Sequence, residues 1–266
     1  MGNAVSEFVR IGRRLFLARL GKGTMAMAVL GACGASSGQA TRSSAAGVKS
    51  PASTFAGTAA TSAAPAPQAR DLAEYLRVDF GFVSAYLVVR GSEAAVVDTG
   101  VSGSEGEVEA ALGTAGQGWD AVGYVILTHH HADHTGSVPA VMAAAAGATG
   151  YIGEADLDNV SAPRELIGLD DGDEVFGLSV ISTPGHTAGH ISLLDPVASV
   201  LIAGDAINGD NGGVLEPNAQ FSEDHDQALA TVGKMAGYEY DTVYFGHGEP
   251  VLREGSQLVA TLAERL

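Results

Sequence analysis

Thr128-His129-His130-His131-Ala132-Asp133-His134-Thr135-Gly136 is the stretch on which the reading of this chain turns. It follows Ala121–Thr128, a short apolar run that reads as a strand, so the histidines begin where the strand ends. In an extended chain residues two apart share a face. His129, His131 and Asp133 then point into one pocket while His130 points away, and a curl of the backbone after Ala132 brings His134 back to them. Seven of the eight histidines fall in three short segments; His225 stands alone. The second segment is Thr183-Pro184-Gly185-His186-Thr187-Ala188-Gly189-His190, a Gly-rich loop able to bend closely around an ion, and the third is Phe245-Gly246-His247-Gly248. Between them lies Ala203-Gly204-Asp205, an acid directly after an apolar strand. Imidazole and carboxylate together suit Zn²⁺ and related borderline metals. A lone loop histidine is usually exposed or structural, but three such segments and Asp205, each following a strand, point to a metal centre.

Outward from this centre, short apolar runs alternate with helical patterns. Val83–Arg90 and Ala94–Asp98 read as neighbouring strands turning at Gly91-Ser92, and Glu105–Leu112 as a helix after Asp98-Thr99-Gly100. Val138–Ala146 suits a helix with Pro139 in its first turn, where a missing N–H costs nothing. Leu178–Thr183, Ile191–Asp195, Ser199–Ala203 and Thr242–Phe245 read as strands, and Asp224–Met235 and Gly255–Leu266 as helices. Two sheets covered outside by helices fit this order, and periodicity alone does not separate that arrangement from a doubly wound sheet.

Charge divides the chain. Residues 1–33 hold five Lys/Arg and one acid, residues 34–69 hold Arg42 and Lys49 and no acid, and residues 70–266 hold seven bases and thirty acids, a net charge of −23. Such a surface repels a phosphate backbone, which excludes nucleic-acid binding through a basic face. One cysteine, Cys33, allows neither an intrachain disulfide nor a multi-cysteine zinc or iron–sulfur site. Three domains are expected: a leader at 1–33, a linker at 34–69 and a working domain at 70–266. The leader carries the Arg13-Arg14 pair and an apolar run, Gly23–Ala32, about half the ~20 residues a membrane span needs. It resembles a twin-arginine export signal, without the Ser/Thr that often precedes the pair. Leu30-Gly31-Ala32-Cys33 resembles a lipobox, whose cysteine carries a diacylglycerol; an unmodified thiol in a peptide cleaved elsewhere is the alternative. The expectation is therefore an exported protein, membrane-attached through lipidated Cys33, periplasmic or extracellular. In 34–69, 30 of 36 residues are Ala, Ser, Gly, Thr or Pro, too little apolar surface to offset the entropy of ordering, so a disordered tether is expected.

From Val97-Asp98-Thr99-Gly100 through the histidine segments to Gly246-His247-Gly248, the working domain resembles the metallo-β-lactamase superfamily of hydrolases. The resemblance implies an α/β fold, an αββα sandwich with two metals, most simply Zn²⁺, at one edge of the sheets. It implies one metal held by His129, His131 and His186, the other by Asp133, His134 and His247, and Asp205 bridging. His130 matches a variable position, and Asp98 one that steadies the ligands, a turn-forming role being the alternative. Zn²⁺ lowers the pKa of bound water to about 7, so a hydroxide held between two metals can attack a small-molecule acyl substrate with no serine or cysteine nucleophile. Asp133 is expected to orient that hydroxide. His190 is a candidate outer partner or gate, with a structural role the alternative, and Asn208 and Tyr244 are weaker candidates read first as structural.

Within the superfamily, the commonest two-metal β-lactamases use cysteine where Asp205 stands and lack the His134 ligand. Asp205 is more similar to the pattern of glyoxalase II and the acyl-homoserine lactonases. Glyoxalase II adds a helical C-terminal domain with basic groups for glutathione, whereas nineteen residues follow His247 here; lactonases often place a tyrosine where Asn208 stands. The expected function is hydrolysis of an ester, thioester or lactone, with β-lactam hydrolysis or a non-catalytic zinc-sensing lipoprotein as alternatives. Ile207–Phe221, which follows a ligand and has no regular period, is the expected place of substrate selection. Asp170–Glu174 reads as a solvated acidic turn rather than a calcium loop.

Overall fold

The computed structural model describes residues 72–266; the leader, the lipobox and the linker expected over 1–33 and 34–69 lie outside the described residues. Six strands form the first sheet in chain order: β1 (Glu74–Asp79), β2 (Ser84–Arg90), β3 (Glu93–Val97), β4 (Val122–Leu127), β5 (Thr149–Gly153) and β6 (Leu166–Leu169). The first three pair antiparallel as a meander, and β3 to β6 run parallel. β7 (Glu174–Val175), β8 (Leu178–Ser182), β9 (Ile191–Asp195) and β10 (Val200–Gly204) build an antiparallel second sheet. A small hairpin, β11 (Asn208–Asp210) and β12 (Gly213–Leu215), follows. β13 (Thr242–Phe245) then returns parallel to β10 as the sheet's other edge. The helices are α1 (Glu105–Thr114), α2 (Ala132–Thr135), α3 (Val138–Ala144), α4 (His225–Met235) and α5 (Gly255–Ala263).

The strand side chains decide the layering. In β2, Ala85, Leu87 and Val89 pack outward with α1 and α3, while Tyr86 and Val88 face the other sheet; in β3, Ala94 and Val96 divide from Ala95 and Val97 in the same way. In the second sheet Val200 and Ile202 of β10 face inward, and Leu201 and Ala203 pack outward with Val232 of α4 and Val259 of α5. Both faces of both sheets are therefore buried, three apolar layers separate four layers of secondary structure, and the fold is an αββα sandwich. A strand buried on both faces reads as an unbroken apolar run, which is why alternation was absent from the sequence. Each fully buried Val, Leu or Ile in these layers contributes roughly 1.5–3 kcal/mol of transfer free energy.

The two sheets are tied at one end by Tyr86, whose hydroxyl donates to the Phe245 carbonyl at 2.6 Å, and by Ser84 N–H, which donates to Gly246 O at 2.9 Å. The C-terminal ends of β3, β4, β10 and β13 emerge here, and Asp98, the first histidine segment, Asp205 and His247 follow them directly. At the other end Asp195, buried at the close of β9, accepts from Tyr75 Oη and Arg90 Nη2, both at 2.6 Å, and from the backbone N–H groups of Val197 and Ala198.

Candidate metal centre

The first histidine segment is not extended throughout. His131 has extended backbone (φ −61°, ψ 145°), and helix α2 begins at Ala132, with the N–H groups of His134 and Thr135 both donating to His131 O. Asp133 joins the site from the first turn of this helix rather than by strand alternation, and the same turn returns His134 to the pocket. His186 rides on a loop stitched to the start of α4: Glu223 N–H donates to His186 O, Asp224 N–H to Gly185 O and Thr231 Oγ1 to Pro184 O. Asp224 in turn caps α4 by accepting from Gln227 N–H. Gly246 precedes His247 because a Cβ there would stand 1.9 Å from Asp205 Oδ1.

These elements bring the seven expected residues together in three interlocking groups: His129, His131 and His186; His129, His134 and Asp205; and Asp133, His134 and His247. In the first, His131 Nδ1 lies 3.1 Å from His129 Nε2 and 2.9 Å from His186 Nε2. Donors on a tetrahedral Zn²⁺ with bonds of about 2.0–2.1 Å stand roughly 3.3 Å apart, so this is ligand spacing. In the third, His247 Nε2 is 3.3 Å from Asp133 Oδ2, and His134 Nε2 is 3.9 Å from it. Asp205 reaches both halves: Oδ2 is 3.4 Å from His186 Nε2 and 3.2 Å from His247 Nε2, and Oδ1 is 3.4 Å from His134 Nε2. His134 Nε2 and Asp205 Oδ1 are buried without a hydrogen-bond partner, the condition expected of atoms built to meet a cation.

Outer partners set the tautomers. Asp98, held at φ 60° at the end of β3, accepts from Thr128 N–H and Oγ1, both at 2.8 Å, and from His134 Nδ1 at 2.9 Å. Since the single hydroxyl hydrogen of Thr128 goes to Asp98, Thr128 Oγ1 accepts from His129 Nδ1 at 3.0 Å. His247 Nδ1 donates to Phe82 O at 2.6 Å. The Nε2 atoms of His129, His134 and His247 are thereby turned to the pocket. Asp98 thus contacts a pocket histidine directly, beyond any turn-forming role.

His190 is structural: its Nε2 accepts from Asp205 N–H at 3.0 Å, and its Nδ1 donates to Thr183 Oγ1 at 2.7 Å. Tyr244 is buried between Tyr75 and Tyr86, away from the pocket. His130 turns to Asp156, a residue the sequence did not single out. Fully buried in the 3₁₀ turn Glu154–Asn159, Asp156 accepts from His130 N–H, Thr187 Oγ1 and Gly189 N–H, and so fastens the first histidine loop to the second. Asp170–Glu174 is exposed, as a solvated turn should be.

The charge distribution is polarised. Hydrogen bonds donated to Asp133 and then to Asp205 raise His247 to about 10, and Asp205 and Asp98 overcome the effect of burial to hold His134 well above the usual imidazole value. In the other half burial dominates, lowering His131, holding His129 well below the usual imidazole value and pushing His186 down to about 4. Burial opposes the charge of Asp205, yet His134 and His247 keep its carboxyl well below the usual range. One half attracts positive charge while the other excludes protons and keeps its lone pairs free. Divalent cations suit both halves, and the donor set fits them.

Beside this cluster opens a cavity of about 900 Å³ whose lining includes Asp133, Asp205, His247 and Asn208. The sequence model of the Metallo-beta-lactamase superfamily matches residues 78–247, 64% of the chain. The chain belongs to the metallo-beta-lactamase superfamily. Among curated relatives, the hydroxyacylglutathione hydrolase of Alkalilimnicola ehrlichii is 39% identical over 156 residues, 58% of this chain and 56% of that protein. That of Cupriavidus taiwanensis is 31% identical over 180 residues, 59% of each. The chain thus spans little more than half the length of these relatives. A metallo-beta-lactamase family protein of Thermus thermophilus shares the fold with a TM-score of 0.59 at 24% identity, over 72% of this chain and 78% of that one. A subclass B3 metallo-beta-lactamase of Bradyrhizobium japonicum does so with a TM-score of 0.55 at 20% identity, over 72% and 87%. At those identities the structural likeness concerns the fold alone.

Proposed function

We propose that this superfamily member is a metal-dependent hydrolase that holds two divalent ions, most simply Zn²⁺, and cleaves an ester, thioester or lactone. The observation that carries the reading is the convergence of seven donors with His134 Nε2 and Asp205 Oδ1 buried and unpartnered, a cost of about 1–3 kcal/mol each that bound cations remove. His129, His131 and His186 would hold one ion, Asp133, His134 and His247 the other, and Asp205 would lie between them. When bound, such ions acidify water to a pKa of about 7 and polarise a carbonyl.

The side chains supply the rest. Asp133, half-buried with Oδ2 3.3 Å from His247 Nε2, would orient the attacking water by accepting its hydrogen. Asp98 and Thr128 fix the His134 and His129 rings, and Phe82 O fixes His247, so the geometry exists before substrate arrives. The hydroxyacylglutathione hydrolases among the relatives support acyl chemistry, and the Asp205 pattern favours it over β-lactam cleavage.

The test is turnover by the zinc-loaded full-length chain of an acyl-lactone, an acyl-thioester, an aryl ester and a chromogenic β-lactam. Chelator-sensitive hydrolysis of the first three, lost in Asp205→Asn, is expected. Preferential β-lactam turnover would replace the substrate class, and two tightly bound metals without any turnover would favour the zinc-sensing alternative. Export and attachment through Cys33 belong to the same proposal and rest on the sequence of residues 1–33. Incorporation of radiolabelled palmitate, lost in Cys33→Ser, tests them.

A further inference from the structure

Seven large apolar side chains stand exposed among the described residues, and three of them, Phe82 (60%), Leu215 (49%) and Phe221 (59%), line the cavity beside the donor cluster. They come from separate places: the turn between β1 and β2, the end of β12, and the segment leading to α4. Apolar surface left in water is unfavourable, and its concentration around one cavity marks where an apolar ligand is received.

Charge narrows the ligand further. The described residues contain six Lys/Arg, and none lines the cavity. Arg77 is committed to Ser84 and Glu249, Arg164 to the carbonyls of Ala145 and Ala148, and Lys234 to Asp171. The cavity wall instead carries Glu216, whose backbone carbonyl accepts from Asn208 Nδ2 at 3.3 Å and so fixes the wall near β12. A ligand arm bearing carboxylates and reaching past the donor cluster, such as the glutathione moiety of a hydroxyacylglutathione, would meet Glu216 and no lysine or arginine of the described residues.

The geometry points to a neutral, apolar acyl substrate: an ester, thioester or lactone whose non-reacting arm is an alkyl or aryl group without carboxylate or phosphate, received by Phe82, Leu215 and Phe221. This rests on the hydrolase reading above and names the substrate class of the same site. A thioester of an apolar acyl group is selected by its arm, not by the glutathione that the relatives' names specify.

Three measurements on the zinc-loaded full-length chain test it. Across p-nitrophenyl esters from acetyl to decanoyl, kcat/KM rises by up to roughly fourfold per methylene that enters the cavity. The same hydroxyacyl group is cleaved at least about tenfold faster from N-acetylcysteamine, a neutral thiol, than from glutathione, and Glu216→Lys narrows that ratio. The neutral fluorophore N-phenyl-1-naphthylamine, read without turnover, binds the chain and binds at least about tenfold more weakly to Leu215→Ser/Phe221→Ser. Both substitutions replace exposed side chains, and the decanoyl-to-acetyl ratio falls in the same variant. A flat chain-length profile, a preference for the glutathione thioester, or equal fluorophore binding by the variant overturns the inference. Failure of the hydrolase reading looks different: no ester or thioester is cleaved although two metals are bound, and the fluorophore titration then decides the cavity by itself.

Discussion

The two ends of the sandwich each bury an aspartate, and they treat it in opposite ways. At the far end Asp195 meets a phenol, a guanidinium and two backbone N–H groups. At the site end Asp205 lies among imidazoles at 3.2–3.4 Å, and its Oδ1 has no partner. A buried carboxylate whose hydrogen bonds the protein supplies holds the sheets together, whereas one with an oxygen left without a hydrogen-bond partner among clustered imidazoles is placed to receive a cation. The difference separates a structural acid from a functional one without reference to any relative.

The largest effect expected is at the site end: Asp205→Asn reduces hydrolysis to background and lowers the zinc content below two ions per chain by native mass spectrometry. Retention of full activity would remove Asp205 from the chemistry and with it the contrast between the two acids. Next comes the far end, where Asp195→Asn removes the negative charge facing Arg90 and leaves one amide oxygen, beside an NH2 group, to serve both Arg90 and Tyr75. A loss of about 3–5 kcal/mol in urea unfolding is expected, with zinc stoichiometry unchanged at temperatures where the variant stays folded. A metal defect without a stability defect would mean that the ends are not independent. Asp98→Asn sharpens the comparison, because its carboxylate is satisfied like Asp195 yet serves a ligand. Metal affinity should fall about 10–100-fold in a competition titration, the usual consequence of disturbing an outer partner of a ligand. The smallest effect belongs to the exposed Lys234–Asp171 ion pair. Asp171→Asn should change unfolding free energy by no more than about 1 kcal/mol, and a larger value would show that ion pairs outside both ends also carry the fold.

Much of this was legible in the sequence. The apolar runs that became β2 to β4 and β8 to β10, and the three histidine segments at strand ends, could be read directly because a strand buried on both faces and a cluster of ligand-type residues are both local signals. The layer order was open on periodicity alone, since double burial erases the alternation that would have assigned faces, and the resemblance to the family supplied the αββα sandwich that the structure has. β5 and β6 escaped notice because Thr149–Gly153 and Leu166–Leu169 are short and mixed, and their pairing to β4 is a tertiary event. The hairpin of β11 and β12, Asn208-Gly209-Asp210 and Gly213-Val214-Leu215, has almost no apolar signal of its own. Asp156 stands among three acids in Glu154–Asn159 that look alike in sequence, and only burial distinguishes it. The helical turn at Ala132 was open in the sequence, where extension and curling placed the same ligands.

The β1–β2 turn supplies the carbonyl that orients His247 and, from the same residue, the Phe82 ring that stacks near it with centroids 6.2 Å apart. The base of the β11–β12 hairpin is also pinned, by Gly209 N–H donating to His247 O and by Gly248 at φ +93°, where a Cβ would fall 2.1 Å from Gly209 O. Its tip, Asp210 to Gly213, makes no such demand, and Leu215 contributes to the cavity from the hairpin's second strand. The two walls are therefore unequal in evolvability. New specificities can be explored by drift in the hairpin's outer residues at little risk to the metal centre, whereas each change in the turn is a wager on both at once.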